Sequence, residues 1–206
     1  PEIFLPKDSI DLRKWAVVAC DQFTSQPSYW EKLSKYIDKE PSTYQLILPE
    51  VYLEKMNHAM IEKINQSMEE YINNGYLKSI GNSMILVERT TILKQRRLGL
   101  IMSVDLETYD YKENSTSLIR ATEKTIIERI PPRVKIRQKA LFELSHVMLL
   151  VDDKNERIIE NLYKNKEQYP KLYDFELNMN GGHIKGYQIK DCDEIIEQFS
   201  KVLVGE

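Results

Sequence analysis

The longest regular pattern in this chain is amphipathic and lies between Pro49 and Asn74. Apolar residues recur there at steps of three and four, which places them on one side of a helix that begins near Pro49 and ends before Gly75. Short apolar runs typical of buried strands occur on both sides of this segment. This alternation predicts an α+β fold, with helices packed on the faces of a mixed sheet.

The predicted strands are short runs that are apolar or alternate between apolar and polar residues. They cover 15–20, 43–48, 83–93, 96–106, 146–151, 171–178 and 183–189. The other predicted helices cover 29–37, 118–129, 133–144, 155–164 and a last segment that Asp191 caps and that ends at Leu203. The run 15–20 is apolar at four successive positions, so this strand is predicted to be internal. Asn180-Gly181-Gly182 predicts a tight hairpin turn.

Positive charge is concentrated between Arg120 and Lys139. This block holds seven Lys/Arg and two Glu, a local charge of +5 in a chain whose total is −3. Such an asymmetry indicates an anionic ligand. The predicted phosphate-binding residues are Arg120, Thr122, Arg129, Arg133 and Arg137, with Pro131-Pro132 forming a corner between two helices that brings the guanidinium groups together.

An ion-pair network is the alternative explanation of this basic block. Glu123, Glu128 and Glu143 could neutralise the arginines, as interspersed charges commonly do on surface helices. The two explanations differ in what they require of the guanidinium groups. A phosphate site needs them to face one cleft, whereas an ion-pair network needs each to face a carboxylate.

Asp21 follows the predicted strand 15–20, at the kind of strand end where open sheets bind ligands. Asp21 and Glu123 are therefore the predicted catalytic residues, for holding Mg²⁺ or accepting a substrate proton. The alternative role for Asp21 and the nearby Thr24 is to accept hydrogen bonds from loop backbone. No metal site is predicted from Cys or His spacing, because Cys20 and Cys192 form no CxxC pair and have no ligand spacing to a histidine.

Composition limits the class of protein. A chain of 206 residues with 42% hydrophobic content can bury a substantial core, and it is predicted to form a single α+β domain over 1–206. The net negative charge argues against a general nucleic-acid binder. The local basic block favours an anionic small-molecule ligand. No apolar run approaches the ~18 residues of a membrane span, and no signal peptide is recognisable. A cytoplasmic protein with reduced thiols is predicted.

Two long motifs resemble domain-of-unknown-function family 1015. They are Trp15-Ala-Val-Val-Ala-Cys-Asp-Gln-Phe-Thr-Ser-Gln-Pro-Ser-Tyr-Trp30 and Ala121-Thr-Glu-Lys-Thr-Ile-Ile-Glu-Arg-Ile-Pro-Pro-Arg133. The resemblance extends over most of the chain, which is similar to the N-terminal half of such proteins and is expected to be part of a longer one. It also implies a relationship to the ParB and sulfiredoxin-like superfamily, which includes kinases of free serine.

This resemblance and the basic block lead to one functional expectation. The chain is expected to be a nucleotide- or phosphometabolite-dependent enzyme domain, such as a small-molecule kinase that uses ATP and Mg²⁺, with arginines around the transferred phosphate. The alternative is a non-enzymatic, ParB-like module that binds DNA or a partner through the basic block. The superfamily's Gly-rich phosphate-binding turn does not occur in these 206 residues.

Overall fold

The computed structural model describes residues 1–19, 25–110, 112–121, 127, 130–144 and 146–205. Within these ranges the fold is α+β, as the sequence predicts. The helices are α1 (Leu12–Trp15), α2 (Pro27–Ile37), α3 (His58–Asn73), α4 (Ile130–Arg137), α5 (Ile159–Lys164) and α6 (Asp193–Phe199). The strands are β1 (Glu2–Pro6), β2 (Leu77–Asn82), β3 (Met84–Thr90), β4 (Arg96–Ile101), β5 (Ile119–Arg120), β6 (Leu150–Val151), β7 (Lys171–Leu177), β8 (Gly182–Ile189) and β9 (Val204–Gly205).

The strands form three sheets. The largest has the order β4-β3-β8-β7 and is antiparallel throughout, whereas β1 and β2 form a separate antiparallel pair. The third has the order β5-β9-β6, and it is mixed because β5 runs parallel and β6 antiparallel to β9. The hairpin predicted at Asn180-Gly181-Gly182 is confirmed, since β7 pairs with β8, and β3 pairs with the next strand in sequence, β4.

One face of the four-stranded sheet supports the helices α5 and α6. In antiparallel strands, directly paired residues share a face and alternate residues return to it. Leu86 and Glu88 of β3 therefore lie on the same face as their partners on β8, Tyr187 and Lys185. We call this the α5 face, because Leu162 of α5 packs there in one buried cluster, whose members are Met84, Leu86, Ile158, Leu162, Tyr187, Ile189 and Ile195.

The prediction of an internal strand at 15–20 is wrong for its described residues. Trp15 ends α1, and residues 16–19 form no strand. Val18 is nevertheless buried. Backbone carbonyls of the run bond side chains instead of a neighbouring strand: the Tyr29 hydroxyl donates to Val18 O at 2.9 Å, and Asn178 Nδ2 donates to Ala16 O at 3.1 Å. Burial without a strand partner was possible because side chains satisfied these acceptors.

Two predictions before α3 also fail in part. The predicted strand 43–48 contains a 3-10 helix at Thr43–Leu46, which begins after Ser42, whose Oγ accepts from the Tyr44 backbone N–H at 3.2 Å. The helix predicted from Pro49 is divided into a 3-10 helix at Glu50–Lys55 and α3. Asn57 causes the restart, because its side chain accepts from the Met60 N–H at 3.0 Å.

The Pro131-Pro132 corner is wrong as well. Both prolines lie in the first turn of α4. Backbone N–H groups in a first turn make no hydrogen bond within the helix, so proline, which lacks this group, is tolerated there. The predicted helix 118–129 is wrong at its start, since Ile119–Arg120 form β5, and the predicted helix 133–144 ends at Arg137. Of the predicted strand 146–151, only Leu150–Val151 form a strand, β6. The helix predicted at 155–164 begins at Ile159. Cys192, not Asp191, occupies the N-cap of α6.

Candidate functional site

The predicted site residues divide into two groups. Asp21, Thr122, Glu123 and Arg129 lie outside the described residues, so their roles stay predictions, as does that of Thr24. The structure describes the other three, Arg120, Arg133 and Arg137. Arg133 and Arg137 line one concavity, and Arg120 lines another.

Arg133 and Arg137 lie on one side of α4. A shallow concavity along this helix is lined by Ile130, Arg133, Val134, Arg137 and Gln138. These positions follow the steps of three and four that put residues on one helix face. Ile136 and the following Ala140 pack instead against the buried cluster around Ile64, Met68 and Tyr71 on α3. Docking on α3 therefore turns the two arginines toward the surface.

The two arginines differ in their partners. Arg137 Nη2 is 2.8 Å from Glu143 Oε1, and both side chains are about half exposed. Arg133 is exposed and makes no ion pair within the described ranges. The ion-pair alternative thus holds for Arg137, whereas for Arg133 it stays untested because Glu123 and Glu128 lie outside the described residues. Beside the Arg133 guanidinium, Ile130 and Val134 are 42% and 46% exposed, so this concavity combines a cation with apolar surface.

Arg120 belongs to a separate concavity. Its Nε donates to the Ser117 carbonyl at 2.7 Å. The lining of this second concavity is Asp110, Lys112, Asn114, Ser115, Arg120 and Ala121. A hydrogen bond from the Lys112 backbone N–H lowers the pKa of the Asp110 carboxyl, which keeps a negative charge beside Arg120. Arg120 does not line the concavity on α4, and the gathering of all the predicted arginines stays a prediction.

A further charged cluster lies on the α5 face, at the edge of the four-stranded sheet. His183 Nε2 is 2.5 Å from Asp174 Oδ1, and His183 Nδ1 is 2.8 Å from Glu176 Oε1. Lys171 Nζ and Lys185 Nζ lie 3.0 Å and 3.8 Å from Asp174 Oδ2. Each ring nitrogen faces a carboxylate, so the imidazole satisfies both by carrying two protons. Hydrogen bonding to Asp174, and then to Glu176, raises the pKa of His183.

This cluster predicts a pH dependence of stability. The pKa of His183 is raised above its ordinary 6.5, so its stabilising contribution is full below that value and is lost as the pH rises through the folded-state pKa. The hydrogen bond from His183 lowers the pKa of Asp174. The stability that Asp174 contributes is therefore lost only as the pH falls through its lowered folded-state pKa. Urea unfolding between pH 5 and about pH 9 should show stability falling with pH more steeply in the wild type than in His183→Gln.

The matched control is His58→Gln. His58 is 80% exposed on α3 and lies 3.4 Å from Glu62, a pair that water screens well. Its replacement should leave the pH slope as it is in the wild type. An unchanged slope in His183→Gln would show that the bridge between β7 and β8 does not stabilise the fold.

Glu88 is the buried acid of the α5 face. It is 8% exposed, and its Oε1 accepts a hydrogen bond from the Tyr163 hydroxyl at 2.7 Å. The Arg96 guanidinium carbon lies 4.8 Å and Lys166 Nζ 3.9 Å from the centroid of the Tyr163 ring. Hydrogen bonding to Tyr163 raises the pKa of Lys166. Two cations and one carboxylate therefore surround a single aromatic side chain.

Sequence reasoning missed Glu88 and Tyr163. A detectable signal existed for Glu88, because it stands in the run Met84-Ile-Leu-Val-Glu88 at the same phase as Met84 and Leu86. A charged residue at an inward position of an apolar strand requires a partner. Tyr163 carried no comparable signal, since a tyrosine in an amphipathic helix is ordinarily a packing residue.

The described clusters differ in the chemistry that they offer. His183 is paired with the carboxylates of Asp174 and Glu176. No group of three His, Cys, Asp or Glu side chains in the described ranges is arranged to bind a metal ion. The concavity on α4 offers guanidinium donors that can bind a phosphate. None of the helices in the described ranges has the length and apolar character to cross a membrane.

Comparison with known proteins gives one match. Residues 4–204 match the family described as "Protein of unknown function (DUF1015)". No curated protein and no solved structure shows significant similarity to the chain. The family resemblance expected from the two long motifs is thereby confirmed.

Proposed function

Since the chain belongs to the DUF1015 family, whose description assigns no reaction, we propose from the site itself that α4 binds a phosphate-bearing small molecule. The observation that carries this proposal is Arg133, an exposed guanidinium that lines a concavity and makes no ion pair within the described ranges. A guanidinium presents several N–H donors in a fork that matches phosphate oxygens. Arg137 stands one turn away on the same helix face.

The rest of the concavity favours a nucleotide over inorganic phosphate. Ile130 and Val134 present apolar surface next to the two guanidinium groups. A nucleotide has both a charged phosphate chain and a flat base with apolar faces, so it can use both kinds of surface. We therefore propose MgATP as the ligand, with the domain acting in a nucleotide- or phosphometabolite-dependent enzyme. The reaction class proposed is phosphoryl transfer to a small molecule, such as free serine or a similar compound.

Arginine charge suits this reaction class. Phosphoryl transfer depends on positioning and on cations around the transferred group, with little covalent chemistry from the protein. Arg133 would bind phosphate oxygens, and Glu143 would hold the Arg137 guanidinium in place beside it. Asp21 and Glu123 keep their predicted roles in this proposal, as groups that hold Mg²⁺ or accept the substrate proton.

Calorimetric titration with MgATP tests the proposal. Arg133→Ala should weaken binding by about tenfold to a hundredfold, because a charge-assisted hydrogen bond contributes about 1.5–3 kcal/mol. Thermal stability should change little, since Arg133 is exposed and unpaired in the described structure. The matched control is Lys135→Ala, which removes a cation from the same helix that does not line the concavity. It should bind MgATP as the wild type does.

Two outcomes would contradict the proposal. If Arg133→Ala and Lys135→Ala weakened MgATP binding equally, the ligand would be attracted by the total charge of the basic block and not by a site at Arg133. Tight binding of duplex DNA that weakens steeply with salt would favour the alternative, a DNA-binding module, because release of counterions from several phosphates makes such binding strongly salt-dependent.

A further inference from the structure

Among the described residues, one oxygen of the Glu88 carboxylate has no hydrogen-bond partner. Oε1 accepts from Tyr163, but Oε2 is buried and has no hydrogen-bond partner in the described part of the chain. Burying a polar group without a partner is unfavourable, and the penalty is greatest for a charged group. Placing an acid at this position of β3 therefore needs a reason beyond packing.

The neighbouring cations are directed elsewhere. Lys185 is the register partner of Glu88 on β8, yet its Nζ lies 3.8 Å from Asp174 Oδ2 on the edge strand β7. Arg96 donates to the Tyr163 hydroxyl at 3.3 Å, and Lys166 lies over the Tyr163 ring. A free donor is thus missing at Glu88 Oε2, while cations are concentrated around Tyr163.

We propose that this part of the α5 face binds a small zwitterion of the amino-acid class. The ligand's ammonium group would donate to Glu88 Oε2, and its carboxylate would bind the guanidinium of Arg96. Both contacts are charge-assisted hydrogen bonds, the strongest kind that such groups form. This site is on the four-stranded sheet, and it is independent of the phosphate site proposed on α4.

Access to Glu88 depends on Tyr163. Because Oε2 is buried, the ligand's ammonium group can reach it only if a neighbouring side chain moves. In this proposal that side chain is Tyr163, whose hydroxyl bonds the other oxygen of the same carboxylate. That ring is half-buried, and Arg96 beside it is exposed, so entry is from the β4 edge of the sheet. Arg96 lies on the α5 face with Thr90, its register partner on β3, whereas its neighbour Arg97 lies on the opposite face.

The test is an NMR titration of the whole chain with glycine and β-alanine at millimolar concentration, alongside acetate and methylamine. Each zwitterion has both charges, whereas acetate lacks the ammonium group and methylamine lacks the carboxylate. Glycine or β-alanine should cause saturable shifts at β3 and α5, and the two single-charge compounds should not. Glu88→Gln and Arg96→Gln should each weaken the binding about tenfold or more.

The matched control is Arg97→Gln, which removes the same charge from the opposite face and should leave zwitterion binding unchanged. Glu88→Gln should also unfold at the same temperature as the wild type or higher, because it removes a buried charge. A marked loss of stability in Glu88→Gln would make Glu88 a structural residue. Acetate binding as tightly as glycine, or an ordered water at Oε2 with no saturable binding of either zwitterion, would also overturn the proposal.

Discussion

Gly182→Ala should lower the free energy of unfolding by about 3 kcal/mol or more. Gly182 begins β8 with a φ of 84°, a conformation that costs an L side chain about 1–3 kcal/mol. An added Cβ would also collide with the Thr90 carbonyl oxygen and lie 3.0 Å from the Thr91 Cα, and such overpacking costs about 1–3 kcal/mol. Both obstacles are backbone, so no side-chain rotation relieves them. Urea unfolding followed by circular dichroism measures the effect.

Gly99→Ala is the matched control for this variant. Gly99 lies in β4 of the same sheet, and an added Cβ there has nothing within 4 Å. Its replacement should change the free energy of unfolding by less than about 1 kcal/mol. Similar losses in the two variants would mean that the contact between Gly182 and Thr90 does not limit this position.

Trp30→Ala should be the most destabilising change in the N-terminal part of the chain, by about 3–5 kcal/mol. Trp30 is fully buried on α2 and packs against Tyr29 and Tyr44, with ring centroids 5.0 Å and 6.3 Å away. Removing the indole leaves a cavity in the cluster that joins α2 to the 3-10 helix at Thr43–Leu46. The midpoint of urea unfolding should fall accordingly.

Tyr36→Ala controls for the loss of an aromatic residue from α2. Tyr36 is 38% exposed, so its removal creates little cavity and should cost about 1 kcal/mol or less. If the two variants unfolded at the same urea concentration, the cluster around Trp30 would not be a main source of stability.

Local patterns predicted the strands of the four-stranded sheet well, because each is a run of apolar or alternating residues. The central pairing of β3 with β8 joins distant parts of the chain and was not predicted. The hairpin of β7 and β8 follows from Asn180-Gly181-Gly182, whose backbone adopts the positive φ that such turns need at Asn180 and Gly182. Predictions failed where side chains replaced a backbone partner. The apolar run after Trp15 has the composition of a buried strand, but Tyr29 and Asn178 bond its carbonyl groups.

The candidate site was predictable in part, and for a definite reason. Charge density pointed to the basic block, but it could not show that Pro131 and Pro132 lie in the first turn of α4. It also could not show that Arg120 lines a different concavity from Arg133. Arg133 and Arg137 share a concavity because they stand four residues apart, a spacing that places two side chains on one helix face. Glu88 and Tyr163 are 75 residues apart and meet only through the packing of α5 on the sheet, which no local pattern encodes.

An NMR titration of the isotope-labelled chain with MgATP tests the claim that α4 binds a phosphate-bearing ligand. Saturable shifts should appear at the backbone amides of Arg133, Val134 and Arg137, and in Arg133→Ala their saturation should need about tenfold to a hundredfold more MgATP. Lys135→Ala should retain them. Saturable shifts confined to the separate concavity around Arg120, or no saturable shifts at all, would contradict the claim.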